Sequence, residues 1–296
     1  MTGIICIDKE KDITSFGVVA KVRGILGEKK AGHTGTLDPM ATGVLPVMLS
    51  GATKFLNFLP ESDKRYEAKF LLGKTTNTLD ITGEVLSESE VKATKDDVLK
   101  VLNSFVGKIS QYPPMFSAKS VDGVRLYDLA RQGVEIERKP CEVEIKKLEL
   151  IEAKGNEYKI DVLCSKGTYI RSLIDDIGKA LGCGAVMSEL RRTSACGFDL
   201  TSAVSLSELQ RRKDEGIPFD DLIFSVEELY KNYKKVIITE AQSVRFKNGG
   251  ALDIKRIKNP PQKGEVCCVY SFDNKFLGLG ENSGEELKVL RLLINR

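Results

Sequence analysis

The chain has 296 residues, of which 42% are hydrophobic and 29% charged, the balance of a globular protein with room for one large domain and a small one. A net charge of only +3 excludes a partner chosen by overall charge, so any nucleic-acid contact must come from basic residues gathered locally. A single histidine and seven cysteines without a C-x-x-C pair argue against zinc sites, disulfide frameworks and Ser-His-Asp chemistry, which leaves carboxylate, tyrosine, arginine and lysine as the reactive groups.

The opening "MTGIICIDKEKDITS" has no charged region leading into a long apolar core, and no apolar run reaches membrane-spanning length, so a cytoplasmic location is expected. "GIICIDK" predicts a strand, and "TSFGVVAKVRGILG" a helix capped by Thr14 or Ser15 and closed near Gly27. "GVLPVMLSGATKF" starts as a buried strand in which Pro46 implies an edge or an irregularity. "KRYEAKFLLG" alternates as a strand, and "TKDDVLKVLNSFVGKIS" has a helical apolar period behind an N-cap threonine. "QYPPMFSAKSVDG" is loop, followed by a short helix "VRLYDLARQG" closed by Gly133. "EVEIKKLELIEAKGNEYKIDVLCSKG" is a strand hairpin turning at Lys154, Gly155 and Asn156, and "TYIRSLIDDIGKALGCG" is a helix. Long alternating strands interspersed with helices give an α+β fold on a largely antiparallel sheet. After "SVEELYKNYKK" the pattern turns to short strands with frequent turns, a small β-barrel over residues 235–296 with 11 Lys+Arg against 7 Asp+Glu. Its positive charge concentrates in "RFKNGGALDIKRIK", residues 245–258.

"AGHTGTLDPMATGVLPVML" (31–49) holds Asp38 and the lone His33. Two readings of Asp38 stand on spacing alone. In one, Asp-Pro is a capping turn with Pro39 at the first helical position. In the other, Gly43 and Pro46 interrupt any helix, and Gly32, Gly35 and Gly43 shape a loop presenting an acid to a cleft. In "GTYIRSL", Tyr169 and Arg171 start a helix, either as a packed ring with a surface pair or with Arg171 opposing the desolvation of a buried carboxylate. Tyr66, in "KRYEAKF", fits a core tyrosine by default. His33 fits a structural or phosphate-contacting role better than a catalytic one. Lys29 and Lys30, Lys64 and Arg65, and Arg191 and Arg192 each read singly as solvated surface, and jointly as phosphate contacts beside a site.

The run "AGHTGTLDPMATGVLPVMLSGATKF" resembles the signature of the TruB family, the pseudouridine synthases that modify uridine 55 in the T-loop of tRNA. "SDKRYEAKFLLG", "QYPPMFSAK", "RLYDLARQG", "CSKGTYIRSLIDDIGKALG" and "ELRRTSACGF" follow that family in order, so the resemblance covers nearly the whole chain. It implies a catalytic domain over 1–232, with an RNA-binding insertion at about 111–140, and a PUA RNA-binding domain over 233–296. Asp38 becomes the catalytic aspartate, Tyr66 the ring that stacks on the target base and helps remove its C5 proton, and Arg171 the ion-pair partner of Asp38. His33, Tyr169 and Leu190 match contacts to the flipped nucleotide and its surroundings, and Lys64 and Arg191, from the basic clusters beside the site, are expected to bind the substrate as well. No cofactor and no metal are implied, because the isomerisation imports no group and oxidises nothing. The implied partner is tRNA, held by its T-arm and, through the C-terminal domain, near its acceptor stem, by a monomer without an obligate protein partner or membrane contact.

The chain departs from the family pattern at Glu10 and Asp12, where proline and glycine are usual; at Ser120 and Val124, where lysines are common and Lys119 and Arg125 are the substitutes; and at Asn77, with Asp80 retained. Three competing readings remain from the sequence: a non-catalytic RNA-binding protein, a uridine isomerase directed by a guide RNA, and an unrelated Asp-dependent hydrolase.

Overall fold

The computed structural model describes residues 1–60, 63–117, 119–121, 123–134 and 136–293; the side chains of Ser120 and Arg125, named above, lie outside the described residues. β1 (Gly3–Lys9) leads into α1 (Ser15–Leu26), whose start is fixed by Thr14 accepting the Gly17 N–H and whose end by Gly27 at φ 68°. β2 (Ala31–His33), β3 (Thr42–Leu49) and β4 (Lys64–Leu72) follow, then α2 (Lys95–Ser104), β5 (Gly107–Gln111) and α3 (Leu126–Arg131). The hairpin of β6 (Cys141–Lys154) and β7 (Glu157–Cys164), then α4 (Ile170–Ala180), β8 (Ala185–Ala195) and α5 (Leu206–Glu215) complete the large unit.

Its sheet runs Ala203–Val204, β1, β3, β8, β4, β7, β6, β5. Among the described residues of this sheet, only the pairs β3–β8 and β1 with Ala203–Val204 are parallel, so the expected mixed, largely antiparallel sheet is found. The period of two along β1 divides its side chains between two cores. Ile5 and Ile7 pack with Val18 and Val22 of α1 and Leu173 and Ile177 of α4, while Ile4 and Cys6 face a second cluster with Phe55 and Tyr230. That second cluster includes Cys268 and Leu279, so it joins the large sheet to a smaller one. The smaller sheet is built from β9 (Lys234–Ile237), β10 (Leu252–Asp253), β11 (Val266–Tyr270), β12 (Phe276–Asn282) and β13 (Glu286–Leu292), in the order β9-β11-β12-β13-β10. It curls into a half-barrel.

Three expectations need revision. The helix predicted through "VGKIS" stops at Ser104, because Gly107 adopts φ 112°; Ile109 and Gln111 then alternate with Lys108 and Ser110 as an edge strand on β6. Of the edge or irregularity expected at Pro46, the irregularity is found and the edge is not. The strand is internal, but its outer side is shared between β8 and β2, and Thr34 N–H donates to the Pro46 carbonyl at 3.1 Å where no ladder donor from proline is needed. The half-barrel also contains a helix, α6 (Glu240–Lys247), that the strand pattern hides; its signal is the capping box of Thr239 and Gln242.

β3 and β8 pair as strands only at Thr42 and Gly43, opposite Arg191 and Arg192. Gly43 has φ 102°, and a Cβ on it would lie 2.1 Å from the Arg192 carbonyl oxygen. Gly43→Ala is therefore expected to cost about 1–3 kcal/mol from backbone strain alone, lowering the melting temperature by about 2–5 °C in a thermal melt. An unchanged melt would show that the strands can part at no cost.

Candidate active site

A cleft of about 360 Å³ is lined by Asp38, Lys64, Tyr66, Tyr169, Arg171 and Leu190, together with Thr36, Ser117 and Lys119. Asp38 stands on the connection from β2 to β3, and Ala41 N–H donates to its carbonyl, closing a tight turn through Pro39. Of the two readings of "LDP", the turn forms but no helix follows Pro39, and the acid stands at a cleft as the second reading has it. Lys64 and Tyr66, two apart on β4, and Leu190 on the neighbouring β8 share one face.

Arg171 organises the floor. It lies in the first turn of α4, where a cation meets the unfavourable positive end of the helix dipole, and it is almost wholly buried. Two carboxylates offset this, Asp38 at 2.9 Å and Asp80 at 3.5 Å. Its guanidinium also donates to the carbonyls of Phe116 at 2.8 Å and Thr78 at 3.0 Å. Asp80, itself buried, accepts from Thr78 Oγ1 at 2.9 Å and from the Thr82 N–H at 3.0 Å. Gln111 braces the start of α4, its amide donating to the Tyr169 carbonyl at 3.3 Å and its Oε1 accepting the Tyr169 N–H at 3.1 Å.

Burial pushes the Asp38 carboxyl above its ordinary value; Arg171 pulls it down, and Asp80 adds to the rise. About a third of the side chain stays open to the cleft, so the charge is desolvated yet reachable. Burial raises the Tyr66 phenol too, opposed by the Arg192 guanidinium, and it raises Tyr169. It lowers the Lys64 ammonium, helped by the like charge of Arg192.

Two cations that the sequence suggests are surface or leaves unremarked are fully buried under the loop that carries Asp38. Lys9 donates to the carbonyls of Glu10 at 2.9 Å, Pro39 at 3.1 Å and Ala41, and burial brings it down to about 8 against the pull of Asp38 and Asp12. Asp12, at φ 64°, takes the left-handed conformation that the usual glycine would take without strain, and its N–H reaches the Pro39 carbonyl at 2.9 Å. Arg192 is wholly enclosed rather than solvated. Its neighbour Arg191 points to the far face of β8 and forms a bidentate pair with Asp8 at 2.8 and 3.1 Å, away from the residues lining the cleft. His33, on β2 opposite Val47, is half-buried and likewise is not among the lining residues. Among the other basic pairs, Arg65 is bound bidentately by Asp161 at 2.7 and 2.8 Å, on the face of β4 opposite Lys64 and Tyr66.

The balance at Arg171 gives a stability prediction. Folded Asp38 holds its proton more tightly than unfolded Asp38, whose ordinary pKa is 3.8, so the ionised form costs stability. That cost grows as pH rises from 3.8 through the folded value, and it is absent below 3.8. Asp38→Asn leaves Arg171 its Asp80 partner and two carbonyls. The variant should melt no lower than the wild type at pH 7, with the difference closing in acid; a lower melting temperature at pH 7 would mean that the ion pair outweighs the desolvation of Asp38.

The chain matches the model of the TruB family pseudouridylate synthase N-terminal domain over residues 23–170, and that of the tRNA pseudouridylate synthase B C-terminal domain over residues 171–231. It is 41% identical over 295 residues to tRNA pseudouridine synthase B of Clostridium tetani, covering 99% of this chain and 100% of that one. With the enzyme of the same name from Pseudomonas fluorescens it shares 44% over 296 residues, 99% of this chain and 96% of the other. Among solved structures it superposes on a chain of the Cbf5-Nop10-Gar1 complex with TM-score 0.77 and 28% identity, over 100% of this chain and 86% of that one. A chain of the H/ACA RNP bound to a substrate RNA containing 2'-deoxyuridine gives TM-score 0.76 and 28% identity, with the same coverage. Matched along its length by both sequence and fold, the chain belongs to the TruB family of pseudouridylate synthases.

Proposed function

We propose that this protein is a tRNA pseudouridine synthase that isomerises uridine 55 of the T-loop, with Asp38 as its catalytic carboxylate acting on a base flipped out of the stack. The observation that carries the reading is the Asp38–Arg171 pair at 2.9 Å, set in one cleft with Tyr66 in a chain of this family. In the reaction the N1–C1′ bond breaks and a C5–C1′ bond forms, C5 loses a proton and N1 gains one. Nothing is oxidised and no group is imported. Whether the carboxylate attacks the sugar or the base, or removes a sugar proton, it must act as the anion, and Arg171 opposes the burial that would protonate it.

Tyr66 offers the face on which the flipped uracil stacks, worth about 1–3 kcal/mol per base, and, once ionised, a phenolate oxygen to take the C5 proton. Tyr169 and Leu190 close the sides of the nucleotide pocket and Lys64 supplies a cation at its wall. His33 and Arg191, outside the cleft lining, serve the RNA around the target. Residues 1–232 form the catalytic domain and 233–296 a PUA-type RNA-binding domain that reaches the acceptor-stem side of tRNA.

The first test is tritium release from a tRNA transcript labelled at uridine C5, with the purified chain alone and no guide RNA. Wild type should release one equivalent per tRNA, lost when the target uridine is replaced by cytidine. Asp38→Asn should release none while its tRNA affinity stays within about tenfold, because phosphate contacts dominate affinity. No release by the wild type, despite salt-sensitive binding, would defeat the reading in favour of an RNA-folding or guide-dependent protein.

The C-terminal role is best tested by charge removal. Excising 233–296 would uncover Phe55 and Tyr230, which pack on Phe276 and Cys268. Lys247, Lys255 and Lys258 replaced together by alanine should weaken tRNA binding and reduce the salt slope by up to about 3, with turnover at saturating tRNA unchanged. An unaltered slope would remove this face from the RNA interface.

A further inference from the structure

Among the described residues, Arg192 is the largest side chain that is fully out of water. It donates Nε–H to the Val44 carbonyl at 2.8 Å, Nη2–H to the Gly35 carbonyl at 3.2 Å and Nη1–H to the Thr36 carbonyl at 3.4 Å. Those acceptors are neutral backbone groups, so none of the three offsets the desolvation of its charge as a carboxylate would. As a filler of space an apolar side chain would serve at less cost. What the guanidinium alone supplies is a rigid planar fork that reaches two successive carbonyls of one loop and a third on β3.

The loop so held is the one that ends in Asp38. Leu37 and Met40, on either side of Asp38, are anchored in the core, but Gly35 has no side chain and that of Thr36 is short and lines the cleft, so the stretch before Leu37 is the part that Arg192 holds. The strand contributing Arg192 also contributes Leu190 to the cleft. In the strand pairing, Arg192 lies opposite Gly43 of β3 on one side and Tyr66 of β4 on the other.

We propose that Arg192 is a positioning residue for catalysis, tying the loop of Asp38 to the strands that carry Tyr66 and Leu190 so that acid and phenol keep one fixed separation. The proposal rests on the reading of Asp38 and Tyr66 as the reacting pair. Arg192 acts through them and does not line the cleft itself. Its charge beside the Tyr66 phenol opposes the rise that burial imposes there.

The test compares Arg192→Met and Arg192→Lys with the wild type for turnover, KM, tRNA affinity and the pH dependence of turnover. Wild-type activity is established first, so failure of the functional reading is seen separately. Arg192→Met should lower kcat by about 100-fold, the effect of an ångström-scale misplacement, with KM and tRNA Kd within about threefold of wild type. The rise of turnover with ionisation of Tyr66 should move to higher pH in Arg192→Met, and Arg192→Lys, whose single ammonium cannot span all three carbonyls, should fall between the two. Wild-type kcat in Arg192→Met would overturn the proposal. A rise in Kd matching the loss of turnover, restored by lysine, would also overturn it by making Arg192 a contact for RNA phosphate. Should Arg192→Met not fold, Arg192→Lys decides: full turnover overturns the proposal, and reduced turnover at unchanged Kd supports it.

Discussion

The site depends on one buried guanidinium shared by two carboxylates. Arg171 at the start of α4 faces Asp38 and Asp80 in a region where an unpaired charge would cost several kcal/mol, on the order of 3–5 when a partner is removed from a buried pair. Burial of the Asp38 carboxylate outweighs the pull of Arg171 and the more distant pull of Lys9, and Asp80 adds a like charge. The Asp38 carboxyl consequently rises above its ordinary value instead of falling, as a simple ion pair would have it. Asp80 is fastened by threonine hydroxyls and a backbone N–H, whereas Asp38 keeps an open side, so the strain of the arrangement falls on the acid that faces the cleft.

The loop bearing that acid buries Leu37, Met40 and Ala41 in the main core, and donors acting on its backbone add to that hold. Lys9 holds Pro39 and Ala41 from one side, Arg192 holds Gly35 and Thr36 from the other, and Ser15 exchanges hydrogen bonds with Leu37 at 2.8 and 2.9 Å. Together they grip both flanks of Asp38. Buried charged donors are stronger than neutral ones, which suits a segment that must stay still while a base enters beside it.

Much of this was legible. The caps at Thr14 and Gly27, the hairpin at Gly155 and the alternation of β4 follow from local chemistry, and the structure has them. The pairing of Asp38 with Arg171 joins positions 133 apart in the chain, so spacing could offer it only as one of two readings, and resemblance supplied the rest. Buried cations are the systematic blind spot, because lysine and arginine are mostly exposed. Yet one signal was there for Arg192: on a strand, a residue two beyond Leu190 shares its face, while Arg191 must turn to the other. The edge strand after α2 was masked by an apolar spacing compatible with a helix, and only Gly107 marked the change.

The half-barrel is joined to the large sheet by packing and not merely by a linker. Phe55 meets Tyr230 and Phe276 at ring distances of 6.1 and 6.2 Å, and Cys268 and Leu279 lie in the same cluster as Ile4 and Met48. A tethered domain would contribute a second foothold at an effective concentration set by its linker, with orientation free. An apolar seam instead fixes the distance and angle between the basic face around Lys247 to Lys258 and the cleft at Asp38. For a substrate with a rigid tertiary shape, such fixed geometry favours the uridine that lies at the right span from the second contact. On the function proposed above, selection of the site on the RNA draws on the seam as well as on the pocket.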